Sequence, residues 1–288
     1  VRNVKRNLLY GTVLISALLN IAASPRRLIT RDEVIDLKNE KFLETKIDFG
    51  AGELKLLPNA GSGKLFEGRL AYRPNHGQPD LHYSAGGQTG YLTLETHSLK
   101  KIFSDGDPKN QWDISFSPKV SHSFDIDIGA CEAEMDFTGL PIEKLKLDLG
   151  AGEGRVRFDR PNPVVMEMLD IDAGASELEI KGLGNARFKK LKFDGGMGSF
   201  RLDFSGQTAM DGQAEISIGM GEVEIVLPRE LGVRVYKEGA LSSIDFDGDL
   251  EKVGDGVWET ENYRTAKRRL IIDLSVGLGS AEVRRAER

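Results

Sequence analysis

Three aspartates, Asp127, Asp148 and Asp170, recur at matching points of a repeated pattern. Carboxylates stacked on an outer face could collect a divalent cation, or act as a paired acid and base on a glycosidic bond. Lys192 continues the column, and Lys146 and Lys190 flank it two residues earlier on the same face. Exposed side chains also splay into water, where repulsion at 4 Å is only about 1 kcal/mol. The column therefore reads first as a solvated surface. The other candidates are weaker. His76, His82, His97 and His122 lack the i, i+4 or H-x3-5-H spacing of a metal site. Asn59-Ala-Gly-Ser-Gly-Lys64 resembles a phosphate loop, but Pro58 replaces its first glycine and Leu65 its Ser/Thr. Cys131 is the only cysteine, which excludes an internal disulfide, a multi-cysteine metal site and a CxxC redox pair. No G-x-S-x-G elbow is present. No catalytic, cofactor-binding or metal-ligating residue is assigned, and no cofactor is implied.

The elements that carry these residues are repeats. Leu147–Phe158, Leu169–Ile180 and Leu191–Leu202 share one frame at 22-residue offsets, with Ile126–Phe137 upstream and Ala214–Ile225 downstream. Weaker copies span Ile47–Leu56 and Ile272–Val283. Each copy is two short runs of alternating apolar and polar residues around a glycine-rich turn. Alternation of period two marks strands, and no helical period is sustained beyond the N-terminus. Strands this short cannot each bury a face alone, whereas stacked copies can. The expected fold is all-β: a single-chain parallel β-solenoid with coils of about 21–23 residues.

In that frame the inward columns are apolar throughout, for example Ile128, Leu149, Ile171, Phe193 and Ile216. One outward column, Asp136, Arg157, Glu179, Arg201 and Glu224, alternates in sign; Glu134, Arg155, Glu177, Ser199 and Glu222 nearly does. Strands stacked about 4.8 Å apart would make these ladders of opposite charge. Each exposed pair contributes about 0–1 kcal/mol, so the ladder selects register more than it stabilises. Glycine supports the same picture: 33 of 288 residues is about 11%, against a usual 7% or so. Gly150, Gly152, Gly174, Gly195, Gly196, Gly198, Gly219 and Gly221 sit where the chain must bend, and a strand follows each. A phosphate cradle would need a helix there.

Residues 1–24 read as a signal peptide or membrane anchor. Arg2, Lys5 and Arg6 precede an uncharged run from Leu8 to Ala23, followed by small residues. The run is slightly shorter than the roughly 20 residues of a spanning helix, and Pro25 and Ile21 make a poor cleavage site. No cysteine near Ser24 could accept a lipid. A formal charge of -6 gives no basic field for nucleic acid. Residues 25–118 form a less regular β module and 119–288 the clean repeats, with an insertion at 247–269 that carries Trp258 and Tyr263. Loops of this kind are the expected place for a specific contact.

The run from Leu145 to Leu227, with its DLGAGE, IDAGASELEIKGLGNARF, FDGGMGSFRLDFSG and GMGEVEIVLPRELGVRV phrases, resembles the C-terminal domain of LiaF-like proteins of the bacterial cell envelope. The upstream IDFGAGELKL, LFEGRLAY and PDLHYSAGGQTGYLTLE resemble the toast-rack module that precedes it. The resemblance implies a β-solenoid outside the cytoplasm. It implies membership in a family whose better-known members span the membrane several times and restrain an envelope-stress sensor kinase. This chain has one apolar segment instead, and the resemblance brings no catalytic residue with it.

The expected function is that of a non-enzymatic, exported scaffold or interaction protein of the bacterial envelope, periplasmic, extracytoplasmic or membrane-anchored, with a link to envelope-stress sensing as what the resemblance implies. Its partner would be an envelope protein or polymer, with a membrane contact through residues 1–24 if they are retained. The alternatives are a cell-surface adhesin or glycan-binding protein, and a polysaccharide-cleaving β-helix enzyme using the outer acids.

Overall fold

A computed structural model describes residues 28–59, 63–73, 77–96, 110–208, 211–238 and 243–286. The proposed signal or anchor at 1–24 lies outside them. Among the described residues no helix is long and apolar enough to cross a membrane.

The described chain is mostly strand, with a single four-residue helix. In order it forms β1 (Ile29–Asp36), β2 (Phe42–Pro58), β3 (Lys64–Tyr72), β4 (Pro79–Gly86), β5 (Thr89–Thr96), β6 (Asn110–Phe116), β7 (Ser121–Asp136) and β8 (Ile142–Arg157). There follow β9 (Met166–Lys181), a four-residue helix α1 (Leu183–Ala186), β10 (Phe188–Asp203), β11 (Gly212–Leu227), β12 (Gly232–Glu238), β13 (Ser243–Phe246), β14 (Leu250–Gly254), β15 (Val257–Thr260) and β16 (Arg269–Arg285).

The long strands β2, β7, β8, β9, β10, β11 and β16 pair in that order, all parallel. Each is two arms joined at a corner. In β8 the buried positions run Leu145, Leu147, Leu149 and then Gly154, Val156, so inward parity switches across Gly150–Gly152. The arms therefore fold toward each other with apolar side chains between them. Phe193 and Phe200, on opposite arms of β10, meet edge to face with ring centroids 5.4 Å apart. This is the expected parallel solenoid, and its inward columns are buried: Ile128, Leu149, Phe193 and Ile216 are at most 1% exposed and Ile171 is 1% exposed.

Glycine is required at the corners by crowding. A Cβ on Gly174 would lie 2.3 Å from the carbonyl oxygen of Gly150, and one on Gly150 would lie 2.6 Å from that of Gly129. Such contacts leave room for hydrogen alone.

Both ends of the stack are finished differently. β5 and β6 pair with the first and second arms of β2, making one winding split between its arms. β12 and β13 do the same on β16 at the far end. Antiparallel strands then cover these split windings: β4 on β5, β3 on β6 and β1 on β3 at one end, β15 on β12 and β14 on β15 at the other. Antiparallel pairing is thus confined to the caps, where it closes most of an otherwise open parallel edge. The last strand, β16, inserts between β11 and β12. Its Arg285, with a side chain 3% exposed, donates to Asp249 and to the carbonyls of Pro228 and Leu231, tying that insertion to the cap.

The register corrects the sequence alignment at one step. Ile126 faces Leu147, Leu169 faces Leu191 and Leu191 faces Ala214, offsets of 21, 22 and 23 residues. Leu147, however, faces Ile171, an offset of 24 instead of the expected 22. The return from β8 to β9 contains Pro161 and Pro163 and is two residues longer than a 22-residue frame allows. Asn162, buried within it, donates to the carbonyls of Ile142 and Ala186 and holds the longer path in place. A slip of two preserves which residues point inward, so every inward column stays apolar although its members change partners: Leu149 faces Ala173 and Val156 faces Ile180.

Candidate functional site

The corrected register rebuilds the acidic column. Asp148 faces Asp127 on one side and Asp172 on the other, so Asp170 is not part of the column. Asp172 in turn faces Asp194, and Asp127 faces Asp48, which faces Glu95. Six acids on consecutive windings stand where the sequence suggested three. Burial lifts the Asp48 carboxyl above the usual range, reinforced by Asp127 and Glu95 and opposed by Lys46. Burial does the same at Asp172, opposed by Lys192 and reinforced by Asp194, Asp170 and Asp148.

Asp170 belongs to the next column outward, with Lys146 and Lys192 on either side of it. That column reads Lys46, Asp125, Lys146, Asp170, Lys192, Glu215 and alternates at every step. Lys146 lies 3.7 Å from Asp125. The second arm carries its mirror image: Lys55, Glu134, Arg155, Glu179, Arg201, Glu224. Lys55 is 3.3 Å from Glu134, and Arg201 lies 3.6 Å from Glu179 while also pairing with Glu224. The expected ladder through Arg157 fails at one rung, Arg157 to Glu179, while Glu179–Arg201 and Arg201–Glu224 stand as expected. Arg157 donates to Asp136 at 2.8 Å, but its other neighbour is Lys181, not Glu179.

Between the corner and the second alternating ladder lies a further acidic column that sequence reasoning missed: Glu53, Glu132, Glu153 and Glu177, with Ser199 and Glu222 beyond. Aligning Gly150 with Gly174, instead of Gly152 with Gly174, would have exposed both acidic columns. Gln111 donates to Glu53 at 3.0 Å and Arg155 lies 3.5 Å from Glu153.

The remaining candidates disperse. His82 is exposed beside Asp80 at 3.3 Å on β4, and His122 is buried in the core on β7; His76 and His97 lie outside the described residues. Among the described residues no cluster of His, Cys, Asp and Glu is arranged to hold a metal. Asn59 donates to the Lys64 carbonyl at 3.1 Å and Lys64 pairs with Asp36, so both act within the N-terminal cap. Cys131 is a buried thiol at a corner. Trp258 stacks on Phe246 at 4.2 Å, and Arg234 sits over the Tyr263 ring at 4.5 Å. The aromatics of the 247–269 segment thus pack the C-terminal cap.

Residues 24–163 match the family profile described as the N-terminal domain of toast_rack, DUF2154. Residues 182–283 match the profile described as cell wall-active antibiotics response LiaF, C-terminal. The toast-rack match reaches past the DLGAGE phrase, which the sequence resemblance had placed in the second domain. No curated protein matches the chain. Among solved structures, a candidate cell adhesion protein from Clostridium sporogenes ATCC 15579 is 17% identical, with a TM-score of 0.50 over 90% of this chain and 100% of that one. A candidate adhesin from Bacteroides fragilis NCTC 9343 is 13% identical, with a TM-score of 0.37 over 90% and 100%. At 17% identity the likeness to the first is one of fold alone. The chain thus matches a toast-rack N-terminal domain followed by a LiaF-like C-terminal domain.

Proposed function

We propose that this chain is a non-enzymatic scaffold of the bacterial envelope, exported from the cytoplasm and contributing to the response to envelope stress by holding a protein partner. The observation that carries the reading is the exterior of the stack. Charges recur on it at one strand spacing over six windings, on a core so regular that the face has no means of folding around a small molecule. Among the described residues, a notch bounded by Leu183, Arg187, Phe188, Phe204 and Leu270 is lined by one cation and by no acid or second base. The family descriptions support an envelope setting, and a rigid repeat suits extended contact with a macromolecule.

Proximity labelling from the full chain in its native envelope tests this. Reproducible labelling of an envelope protein is expected. Calcium-dependent turnover on a polyuronate panel, lost in Asp148→Asn, would overturn the reading in favour of an enzyme that uses the acidic column.

A further inference from the structure

The corners form a crest that neither alternating ladder accounts for. Midway round each corner one residue points outward. Ala51, Ala130, Ala151 and Ala175 face one another along β2, β7, β8 and β9. Met197, Met220 and Leu278 continue the line along β10, β11 and β16. These last three are 56%, 44% and 51% exposed. Glycines stand on both sides of each of them, Gly196 and Gly198 around Met197 for instance, so no adjacent side chain in the strand covers the tips. A single exposed apolar residue is ordinary, but three in register on consecutive windings make one patch.

The shoulders of the crest are acidic. Asp148 lies three residues before Ala151 and Glu153 two residues after it. The same pair recurs at Asp48 and Glu53, Asp127 and Glu132, and Asp172 and Glu177. The alternating ladders, which neutralise themselves, lie one outward position further from the corner on each arm. The strip is therefore apolar along its summit, negative on both sides over the alanine half, and broadest in exposed hydrocarbon over the methionine half.

We infer that this crest docks a basic amphipathic helix of an envelope protein, its apolar side chains on Met197, Met220 and Leu278 and its Lys or Arg side chains against the acidic shoulders. The inference rests on the scaffold reading and names the chemistry of the partner. The spacing fits: a helix turn advances about 5.4 Å and a winding about 4.8 Å, so three turns stay within roughly 1 Å of three windings. Seven windings span roughly 29 Å, the length of about 19 helical residues. Methionine side chains adapt to varied apolar partners. Charge complementarity selects against the other occupants, because a second copy or an anionic lipid surface would bring carboxylate or phosphate against the same shoulders.

The test uses the full chain and a fluorescent 18-residue peptide with leucines along one helical face and lysines along the other, read by anisotropy. Replacing Met197, Met220 and Leu278 together by Ser is expected to weaken binding at least tenfold, with an unchanged melting temperature. Asp127→Asn, Asp148→Asn and Glu153→Gln together should weaken it and flatten its salt dependence. The control Glu230→Gln, Glu251→Gln and Asp255→Asn, away from the crest, should leave it intact. Equal affinity for the serine variant, or an equal loss in the control, would overturn the inference. So would a concentration-dependent dimer abolished by the serine substitutions, or crest-dependent binding to phosphatidylglycerol vesicles or to a cationic polysaccharide in place of the peptide. In the native envelope, the serine variant should lose the partner that the parent labels. If parent and variant label the same set, the docking strip fails and the scaffold stands; if the parent labels nothing, the scaffold reading fails first.

Discussion

Arg155 stands directly opposite Glu179 on the next winding and opposite Glu134 on the previous one. Its guanidinium is the cation that separates these two carboxylates, while Arg157, two residues on, faces Lys181. Charge at position 155 therefore supports or opposes the register that the return length sets. Arg155→Glu would align three like charges and is expected to cost about 1 kcal/mol more than Arg155→Ala. Thermal melts at low and high salt check this: the gap between the two variants should shrink as salt screens the column. Identical melting temperatures at low salt would deny the ladder any part in register.

The inward half of the fold was legible because alternation survives an even slip. Leu149, Val156 and Leu178 are buried whichever neighbours on the adjacent windings they acquire. The outward half was not, because register between windings is set by return length, and the proline-bearing return after Arg157 is held by the amide of Asn162. That single step moved Asp170 out of the acidic column and brought Asp172 into it. The crest escaped notice for another reason: alanine, methionine and leucine between glycines read as turn filler until the corners are stacked.

Crowding at the corners gives a second expectation. A Cβ at Gly174 meets a backbone oxygen at 2.3 Å, which cannot move without shifting a neighbouring winding. Gly174→Ala should therefore destabilise by roughly 2–4 kcal/mol. Gly86→Ala, whose new Cβ would have only a Tyr91 ring carbon at 3.8 Å, should change stability by less than about 1 kcal/mol. Chemical denaturation of the two variants side by side would decide the matter, and comparable losses would remove crowding as the reason for the glycines.

Leu178 and Met197 separate the inside of the stack from its crest. Leu178 is 2% exposed and lies between Gly154 and Phe200 on adjacent windings. Leu178→Asp places a carboxylate in hydrocarbon and should cost roughly 4 kcal/mol or more. Met197→Asp, at a residue 56% exposed, should stay within about 0.5 kcal/mol of the parent. A parent-like melt for Leu178→Asp would refute the inward columns on which the fold rests.

His122 makes the stack sensitive to acid. Its ring is buried, stacks on Phe124 at 5.1 Å and meets Phe116 edge to face, with Nε2 2.7 Å from the Ser117 carbonyl oxygen. Burial pushes its pKa down to about 4, against the partial support of that carbonyl for the charged form. Between that value and the 6.5 or so of an unfolded chain, the unfolded state binds the extra proton. The histidine's contribution is thus fully present above about pH 6.5 and is lost as pH falls toward 4, by up to about 3 kcal/mol. Carboxylates of depressed pKa, such as Asp249 held by the Arg285 guanidinium, lose their contribution only at still lower pH. His122→Phe keeps an aromatic ring in the stack and removes the titration. Its stability between pH 4.5 and 6.5 should be flatter than the parent's, and two parallel curves over that window would show that the buried imidazole is not what titrates.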